Sequence, residues 1–273
     1  MNQPAKLGLI AGRGIYPLLL AESAKKLGVR RLVAVAFRGE TDRAIDRLAD
    51  EVHWLNVGQL TALLETFQTS GVTQAVMAGQ ITPTRLFHVR PDRRALALLA
   101  RLRTRNAETI FGAIGDELKS VGVELLPASR FMESAMPTPG LLSRRAPTAE
   151  EQQDIELGCR VAKATSGLDI GQTAVVKQGT ILAVEAFEGT DETLLRAGRL
   201  GGAGVVVVKV AKRGHDLRFD IPVIGLQTLK VLKKIRAAVL AVEAGKTILL
   251  ECARLITEAD KQNLAFLAVD MEK

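Results

Sequence analysis

Leu7-Gly-Leu-Ile-Ala-Gly-Arg-Gly14, followed by Ile15-Tyr-Pro17, reads as a strand that runs into a glycine turn and then a helix. The apolar run over 7–11 is too short for a helix and stops at glycine. Pro17 suits the first turn of a helix, and Gly28 ends the apolar periodicity that follows it. Outward from this unit, residues 31–37, 51–57 and 73–78 read as further strands, and 123–126 as a last one. Helical patterns fill the gaps over 59–69, 92–103 and 106–120. Strands interleaved with helices predict a parallel sheet covered on both faces.

The texture changes after Pro127. Pro127, Pro137, Pro139 and Pro147 punctuate a stretch rich in Ser, Met and Gly, which reads as a linker. The expected division is a Rossmann-like domain over 1–130, a linker over 131–147 and a second α/β domain over 148–273. Thr148-Ala-Glu-Glu151 matches a capping box and opens a helix to about residue 163. Two β-prone runs, 173–177 and 180–186, flank Gln178-Gly179, the signature of a tight hairpin. A helix over 191–199, a buried strand over 204–210, a polar loop over 211–219, a long helix over 227–244, a strand over 247–251 and a final helix from 258 complete the reading. No internal repeat is evident.

At 273 residues, with 47% hydrophobic and 25% charged residues, the composition is that of an ordinary globular protein. Only 4% of residues are aromatic, which argues against a base-stacking surface for single-stranded nucleic acid. The net charge of +7 favours anionic partners, either a phosphate-bearing ligand or an anionic membrane surface, or marks a basic protein with no special partner. Cys159 and Cys252 sit in helix-like patterns and read as buried free thiols. With no signal peptide and no apolar run of membrane-spanning length, the expectation is a cytoplasmic protein, peripheral to the membrane at most.

Several residue groups invite chemistry, each beside a plainer reading. Gly12, Arg13 and Gly14 stand where backbone N–H groups can meet a phosphate, or merely join strand to helix; Pro17 occupies the place of a third glycine. Gln80 and Ile81 follow a strand, where open α/β sheets bind ligands, or lie on a solvent-facing loop. Asp116 and Glu117 are adjacent on a helix and cannot form one carboxylate pair. Asp169, Gln172, Lys177, Glu185, Glu188 and Asp191 crowd the hairpin block more densely than a hairpin needs. Asp220 precedes the stiff Pro222 and follows a loop with Arg213, His215, Asp216 and Arg218; it could hold a metal, orient a water or cap the turn. The cluster Arg90, Arg93, Arg94, Arg101, Arg103 and Arg105 reads as a solvated face or a lipid-headgroup contact. His53, His88 and His215 have no zinc-type spacing, and the chain lacks a P-loop and a serine elbow. Carboxylates with Lys and Arg are left, the side chains of Mg²⁺-assisted chemistry at phosphorus.

Four segments in order carry a resemblance: the glycine-turn start over 7–14, Arg144-Arg-Ala-Pro-Thr148, the block over 169–192, and Asp220-Ile-Pro-Val-Ile-Gly225. Together they resemble the LpxI-type UDP-2,3-diacylglucosamine pyrophosphatases, although Arg13 stands where members usually carry a further glycine. The resemblance implies two linked α/β domains with the ligand in a cleft between them. It also implies hydrolysis of UDP-2,3-diacylglucosamine to UMP and 2,3-diacylglucosamine 1-phosphate (lipid X) for lipid A biosynthesis. It implies water attack on the α-phosphorus, a divalent cation, usually Mg²⁺, and work at the inner-membrane surface; a homodimer is the default for such an enzyme. On this basis Asp220, Lys177 and Glu185 are the expected catalytic residues, with Asp220 and Asp191 at the metal. The expected substrate-binding set is Gly12, Arg13, Gly14, Gln80, Ile81, Asp116, Gln172, Lys177, Glu188, Gly189, Thr190, Asp191 and Lys209. Two alternatives stand beside it: a nucleotide-sugar or dinucleotide-binding oxidoreductase, with Glu40 loosely placed for a ribose, and a non-enzymatic scaffold that binds anionic lipid through the arginines over 93–105.

Overall fold

The computed structural model describes residues 4–81, 91–212 and 216–271. His88 and Arg90, and Arg213 and His215 of the loop before Asp220, lie outside the described residues. The chain packs as two compact units, one of Met1–Met132 with Asp216–Asp220, the other of Glu133–His215 with Ile221–Lys273. A five-residue piece of the second half is therefore part of the first unit.

The first unit is built on β1 (Lys6–Ala11), β2 (Arg31–Phe37), β3 (Glu51–Leu55), β4 (Gln74–Ala78) and the short β5 (Glu124–Leu125). All pair in parallel, in the order β3-β2-β1-β4-β5. This is the Rossmann-like sheet expected from the alternating pattern. The order reverses between β1 and β4, so the carboxyl ends of these two strands form the topological switch point. The helices are α1 (Tyr16–Lys26), α2 (Leu60–Thr69), α3 (Arg93–Arg101) and α4 (Ala107–Ser120). Ile10, Val33, Val35, Phe37 and Met77 from the strands pack with Leu63, Leu64 and Phe67 of α2, Leu98 of α3 and Leu118 of α4. Asp92 starts α3 by accepting from Ala95 N at 2.8 Å, and its other oxygen accepts from Thr61 N of α2 at 2.7 Å. One aspartate thus fixes two helix beginnings.

The second unit holds β6 (Gly140–Leu141), β7 (Thr173–Lys177), β8 (Thr180–Val184), β9 (Val206–Lys209), β10 (Val223–Ile224), β11 (Val239–Glu243), β12 (Ile248–Leu249) and β13 (Ala265–Val269). Its six-stranded sheet runs β6-β13-β11-β9-β7-β8, while β10 and β12 pair separately. Strands β9, β11 and β13 are parallel; β7 is antiparallel to β9, β8 to β7 and β6 to β13. Helix α5 (Ala149–Gly167) covers one face, and α6 (Thr190–Gly201), α7 (Leu226–Ile235) and α8 (Cys252–Lys261) the other. The two-residue alternation is visible in β9: Val207 packs with the α6–α8 cluster, Val206 and Val208 with α5.

Both halves of the predicted capping box form at Thr148 and Glu151, and the helix runs on to Gly167. The hairpin turn is as read, with Gln178 and Gly179 at φ 48° and 73°. Three expectations are corrected. The helix read over 227–244 ends at Ile235, where Arg236 turns left-handed at φ 52°, and the rest is strand β11. The last helix begins at Cys252, not 258, and is followed by β13. Asp220, which the sequence reads as an acid at a rigid strand start, instead follows the turn over 217–219, and β10 begins only at Val223. Strands buried on both faces lose the alternation that marks a half-buried strand, so an Ala-Val-Leu run reads equally as helix. Among the described residues, no helix is long and apolar enough to cross a membrane.

Candidate active site

At the switch point of the first unit, the turns after β1 and β4 lie against each other. Gly12 N donates to Ala78 O at 2.8 Å, Arg13 N to Gln80 O at 2.7 Å, and Gln80 N back to Arg13 O at 3.2 Å. A Cβ on Gly12 would stand 2.7 Å from Gln80 O, and one on Gly79 2.6 Å from Arg13 O. The two glycines are thus required by the contact between turns, whether or not a phosphate binds. Thr41 Oγ1 ties the third turn to Ala11 O and accepts from Phe37 N at 2.8 Å. The structure therefore brings Gly12, Arg13 and Gln80 together. Arg13, Gly14 and Gln80 are exposed beside the start of α1, which has no side-chain cap. Ile81 instead lines an apolar cavity on the sheet face. Glu40 is buried.

The segment carrying Asp220 docks on α4 of the same unit. Ala128 N donates to Leu217 O at 2.7 Å, and the Phe219 ring lies 5.8 Å from that of Phe111. Arg218 grips Asp216 through two nitrogens, Nε at 2.8 Å and Nη2 at 2.5 Å. A Cβ on Gly115 would stand 2.8 Å from Arg218 Nη1, so glycine there leaves room for the guanidinium. The Arg218 hydrogen bonds hold the Asp216 carboxyl below the usual carboxylate range. Arg218 in turn is pushed up, by Asp216 first and by the charge of exposed Asp116 as a lesser cause. Asp220 N donates to Asp216 O at 3.2 Å. Asp116 and Asp220 therefore share one charged neighbourhood organised by Arg218, which reading the sequence did not single out.

In the second unit, the polar side chains gather at the carboxyl end of the parallel strands. Lys209, the last residue of β9, donates from Nζ to Thr190 Oγ1 at 2.8 Å, and that hydroxyl donates to Glu185 Oε1 at 2.7 Å. Glu185 Oε2 is buried, with no hydrogen-bond partner among the described residues. Gln172 O accepts from Val210 N at 2.9 Å, and Thr173 O accepts from Glu185 N at 2.8 Å. Gln172, Glu185, Thr190 and Lys209 are thus one cluster, beside Gly189 at the start of α6. Asp191, on the first turn of α6, accepts a long contact from Gln227 Nε2 at 3.4 Å.

Lys177 lies at the other end of β7. Its Nζ donates to Gly201 O at 2.6 Å and Ala203 O at 2.8 Å, capping the carboxyl end of α6. Glu188 is exposed, accepts from Arg196 at 2.6 Å and Thr193 at 3.2 Å, and its carboxyl is held low chiefly by Arg196. Asp169 pairs with Lys212 at 2.8 Å. Two buried carboxylates, Asp154 and Glu243, escaped the sequence reading because their partners are distant in the chain, as did the part-buried pair of Arg145 with Glu151, six residues apart. Asp154 accepts from Gln178 N and Gly179 N at 2.8 and 2.7 Å and holds the hairpin turn. Glu243, at the end of β11, accepts from Lys163 Nζ at 2.6 Å and Ala211 N at 2.8 Å. Arg145 grips Glu151 at 2.6 and 2.8 Å. Arg94 and Arg101, offered as lipid contacts, both pair with Glu117, at 2.6 and 2.7 Å.

Cys159 and Cys252 are free thiols, half-buried; burial pushes Cys159 up to about 11, far from nucleophilic use at neutral pH. Among the described residues, no three His, Cys, Asp or Glu side chains come together as a metal site. Mg²⁺ does not demand such a cage: one or two carboxylates suffice when water and phosphate oxygens complete its shell. Asp220 and Asp191 each carry oxygen donors of the kind that a cation completed by water and phosphate oxygens takes.

A model of the LpxI N-terminal domain matches residues 6–135, and one of the LpxI C-terminal domain matches 138–267. The "UDP-2,3-diacylglucosamine pyrophosphatase LpxI" of Caulobacter vibrioides is 30% identical over 281 residues, which span 98% of this chain and 99% of the relative. Among solved structures, gox2253 aligns with 91% of this chain and 78% of its own, at 11% identity and a TM-score of 0.31. The phosphoribosylglycinamide synthetase of Anaerococcus prevotii aligns with 70% of this chain and 42% of its own, at 14% identity and a TM-score of 0.26. Those two similarities carry no inference about chemistry. Both domain models match in order, and the Caulobacter relative aligns over nearly the whole of both chains: this chain belongs to the LpxI family.

Proposed function

We propose that this protein hydrolyses the diphosphate of UDP-2,3-diacylglucosamine, releasing UMP and 2,3-diacylglucosamine 1-phosphate. The observation that carries this reading is the near-complete alignment with the Caulobacter enzyme of that name. Each unit carries one polar neighbourhood with side chains of the kind such a reaction uses. Water attacks the α-phosphorus on the uridine side; its oxygen forms the new P–O bond as the bond to the bridging oxygen breaks. The sugar-linked phosphate leaves with the bonding pair, and the water's proton passes to a carboxylate. We assign that proton to Asp220, whose turn is clamped by the Asp216–Arg218 pair. Lys209, its amine oriented by Thr190 and Glu185, offsets charge on nonbridging phosphate oxygens. Mg²⁺, held by Asp220 or by Asp191 with water and substrate oxygens completing its shell, would supply further charge neutralisation at the diphosphate. Lys177 and Glu188 have their charges engaged with α6 and are assigned to support rather than chemistry. The exposed edge of Arg13, Gly14 and Gln80, beside the buried Gly12, is the proposed nucleotide contact. An amphiphilic substrate places the protein at a membrane surface rather than through it.

The test is UMP release from UDP-2,3-diacylglucosamine with and without a chelator, for wild type and Asp220→Ala. Wild type should turn over and stop with chelator; Asp220→Ala should lose at least about a hundredfold in kcat while still binding substrate. Turnover by Asp220→Ala at near-normal rate removes Asp220 from the mechanism. No UMP release by wild type in the presence of Mg²⁺ overturns the function.

A further inference from the structure

Asp220 belongs to the second half of the sequence, yet the residues that lead into it pack with the first unit. Three successive residues each make a separate contact there. Leu217 O accepts from Ala128 N at 2.7 Å. Arg218 lays its guanidinium over Gly115 of α4, where a Cβ would stand 2.8 Å from Nη1 and 3.3 Å from Cζ. The Phe219 ring lies 5.8 Å from that of Phe111, a favourable spacing for an aromatic pair, and both pack against the apolar core of the unit. Phe111 and Gly115 are one helical turn apart on α4 and so share a face.

The supports are themselves fixed. Ala128 is 2% exposed, and its carbonyl accepts from the Tyr16 hydroxyl at the start of α1. Arg218 is gripped by Asp216, and its Cζ lies 6.0 Å from the centre of the Phe219 ring. Asp216 O accepts from Phe219 N at 3.3 Å and from Asp220 N at 3.2 Å, so one carbonyl closes the turn that ends on Asp220. Glycine inside a 14-residue helix is a poorer choice than alanine, and at Gly115 it leaves the space that the guanidinium fills. Chain continuity does not require a short connection to be held at three consecutive residues. A reacting group does, because small displacements cost rate. We propose that Phe111 and Gly115 of α4 are positioning residues for the hydrolysis: through Phe219 and Arg218 they hold the turn that presents Asp220. This rests on the role given to Asp220 in the preceding subsection.

Phe219→Ala should lower kcat at least about tenfold and leave KM within about twofold, because a displaced base costs rate rather than binding. Phe219→Tyr keeps the ring and should retain about half the wild-type kcat or more. Should Phe219→Ala not melt cooperatively, Phe219→Leu takes its place, with a smaller loss in kcat expected. Gly115→Ala is the sharper variant. Alanine favours the helix, so the melting temperature should not fall, while the displaced guanidinium should lower kcat about fivefold. In an Arg218→Ala background the same substitution should change kcat no further. A Gly115→Ala loss that persists without Arg218, or an unchanged kcat in Phe219→Ala, overturns the proposal. Hydrogen exchange reads the turn without turnover. Amides over 216–220 should exchange at least about tenfold faster in Phe219→Ala than in wild type, and equal exchange overturns the anchoring. If wild type releases no UMP, the hydrolase reading falls, while faster exchange in the variant leaves the anchored turn standing.

Discussion

Residue by residue, the most consequential side chain outside the proposed chemistry is Glu243. It is 1% exposed, and its Oε2 binds both Lys163 Nζ and Ala211 N, while Lys246 lies 3.2 Å from Oε1. Ala211 begins the connection to the segment that carries Asp220, so this carboxylate anchors the root of that connection. A buried carboxylate in such a network is tolerated because its partners satisfy it, and removing it strands the amine. Glu243→Ala should therefore cost about 3 kcal/mol in stability, read as a lowered urea midpoint. The double variant Lys163→Met with Glu243→Leu should recover most of that loss, since no charge is then left buried alone. A loss below about 1 kcal/mol for the single variant would mean the pair is solvated in solution.

At the level of elements, strand β7 separates two kinds of lysine. Lys209, its neighbour across from Thr173, belongs to the polar cluster, whereas Lys177 at the far end caps α6. Lys177→Ala should lower the melting temperature, with the loss of two hydrogen bonds to helix-end carbonyls worth about 1–2 kcal/mol, and leave KM and kcat alone. A raised KM with an unchanged melt would return Lys177 to the substrate. The hairpin itself was legible because its determinants are local: β-branched runs and a Gln-Gly turn. So were the glycine turn of β1 and the capping box at Thr148, which are settled within a few residues. Strands β11 and β13 were not, because burial on both faces removes periodicity from Val239–Glu243 and Ala265–Val269. The roles of Lys177, Asp154 and Arg218 were out of reach for another reason. Each depends on a partner brought close only by folding, Gly201, the hairpin turn and Gly115 respectively. Charge and spacing alone offered Lys177 as a phosphate ligand, gave no sign of its bonds to Gly201 and Ala203, and left Arg218 as one residue of a polar loop.

Taken whole, the molecule carries a net charge of +7, and its proposed substrate is an anionic diphosphate presented at a membrane surface. Many of the basic side chains are already matched within the units: Arg94 and Arg101 by Glu117, Arg145 by Glu151, Lys163 by Glu243. The excess positive charge acts at longer range, raising the encounter rate with an anion rather than holding it once bound. Salt acts most strongly on such long-range attraction, because the Debye length shrinks from about 10 Å at 0.1 M to about 3 Å at 1 M. The Lys209–Thr190–Glu185 contacts, at 2.7–2.8 Å and partly buried, are far less exposed to screening. Raising ionic strength with Mg²⁺ held constant should therefore lower kcat/KM on UDP-2,3-diacylglucosamine several-fold and leave kcat nearly unchanged. Substrate presented in neutral detergent micelles keeps the membrane's own charge out of the measurement. A kcat that falls in parallel with kcat/KM would place the salt-sensitive charges at the reacting phosphate instead, and Lys209→Ala would then have to abolish the salt dependence.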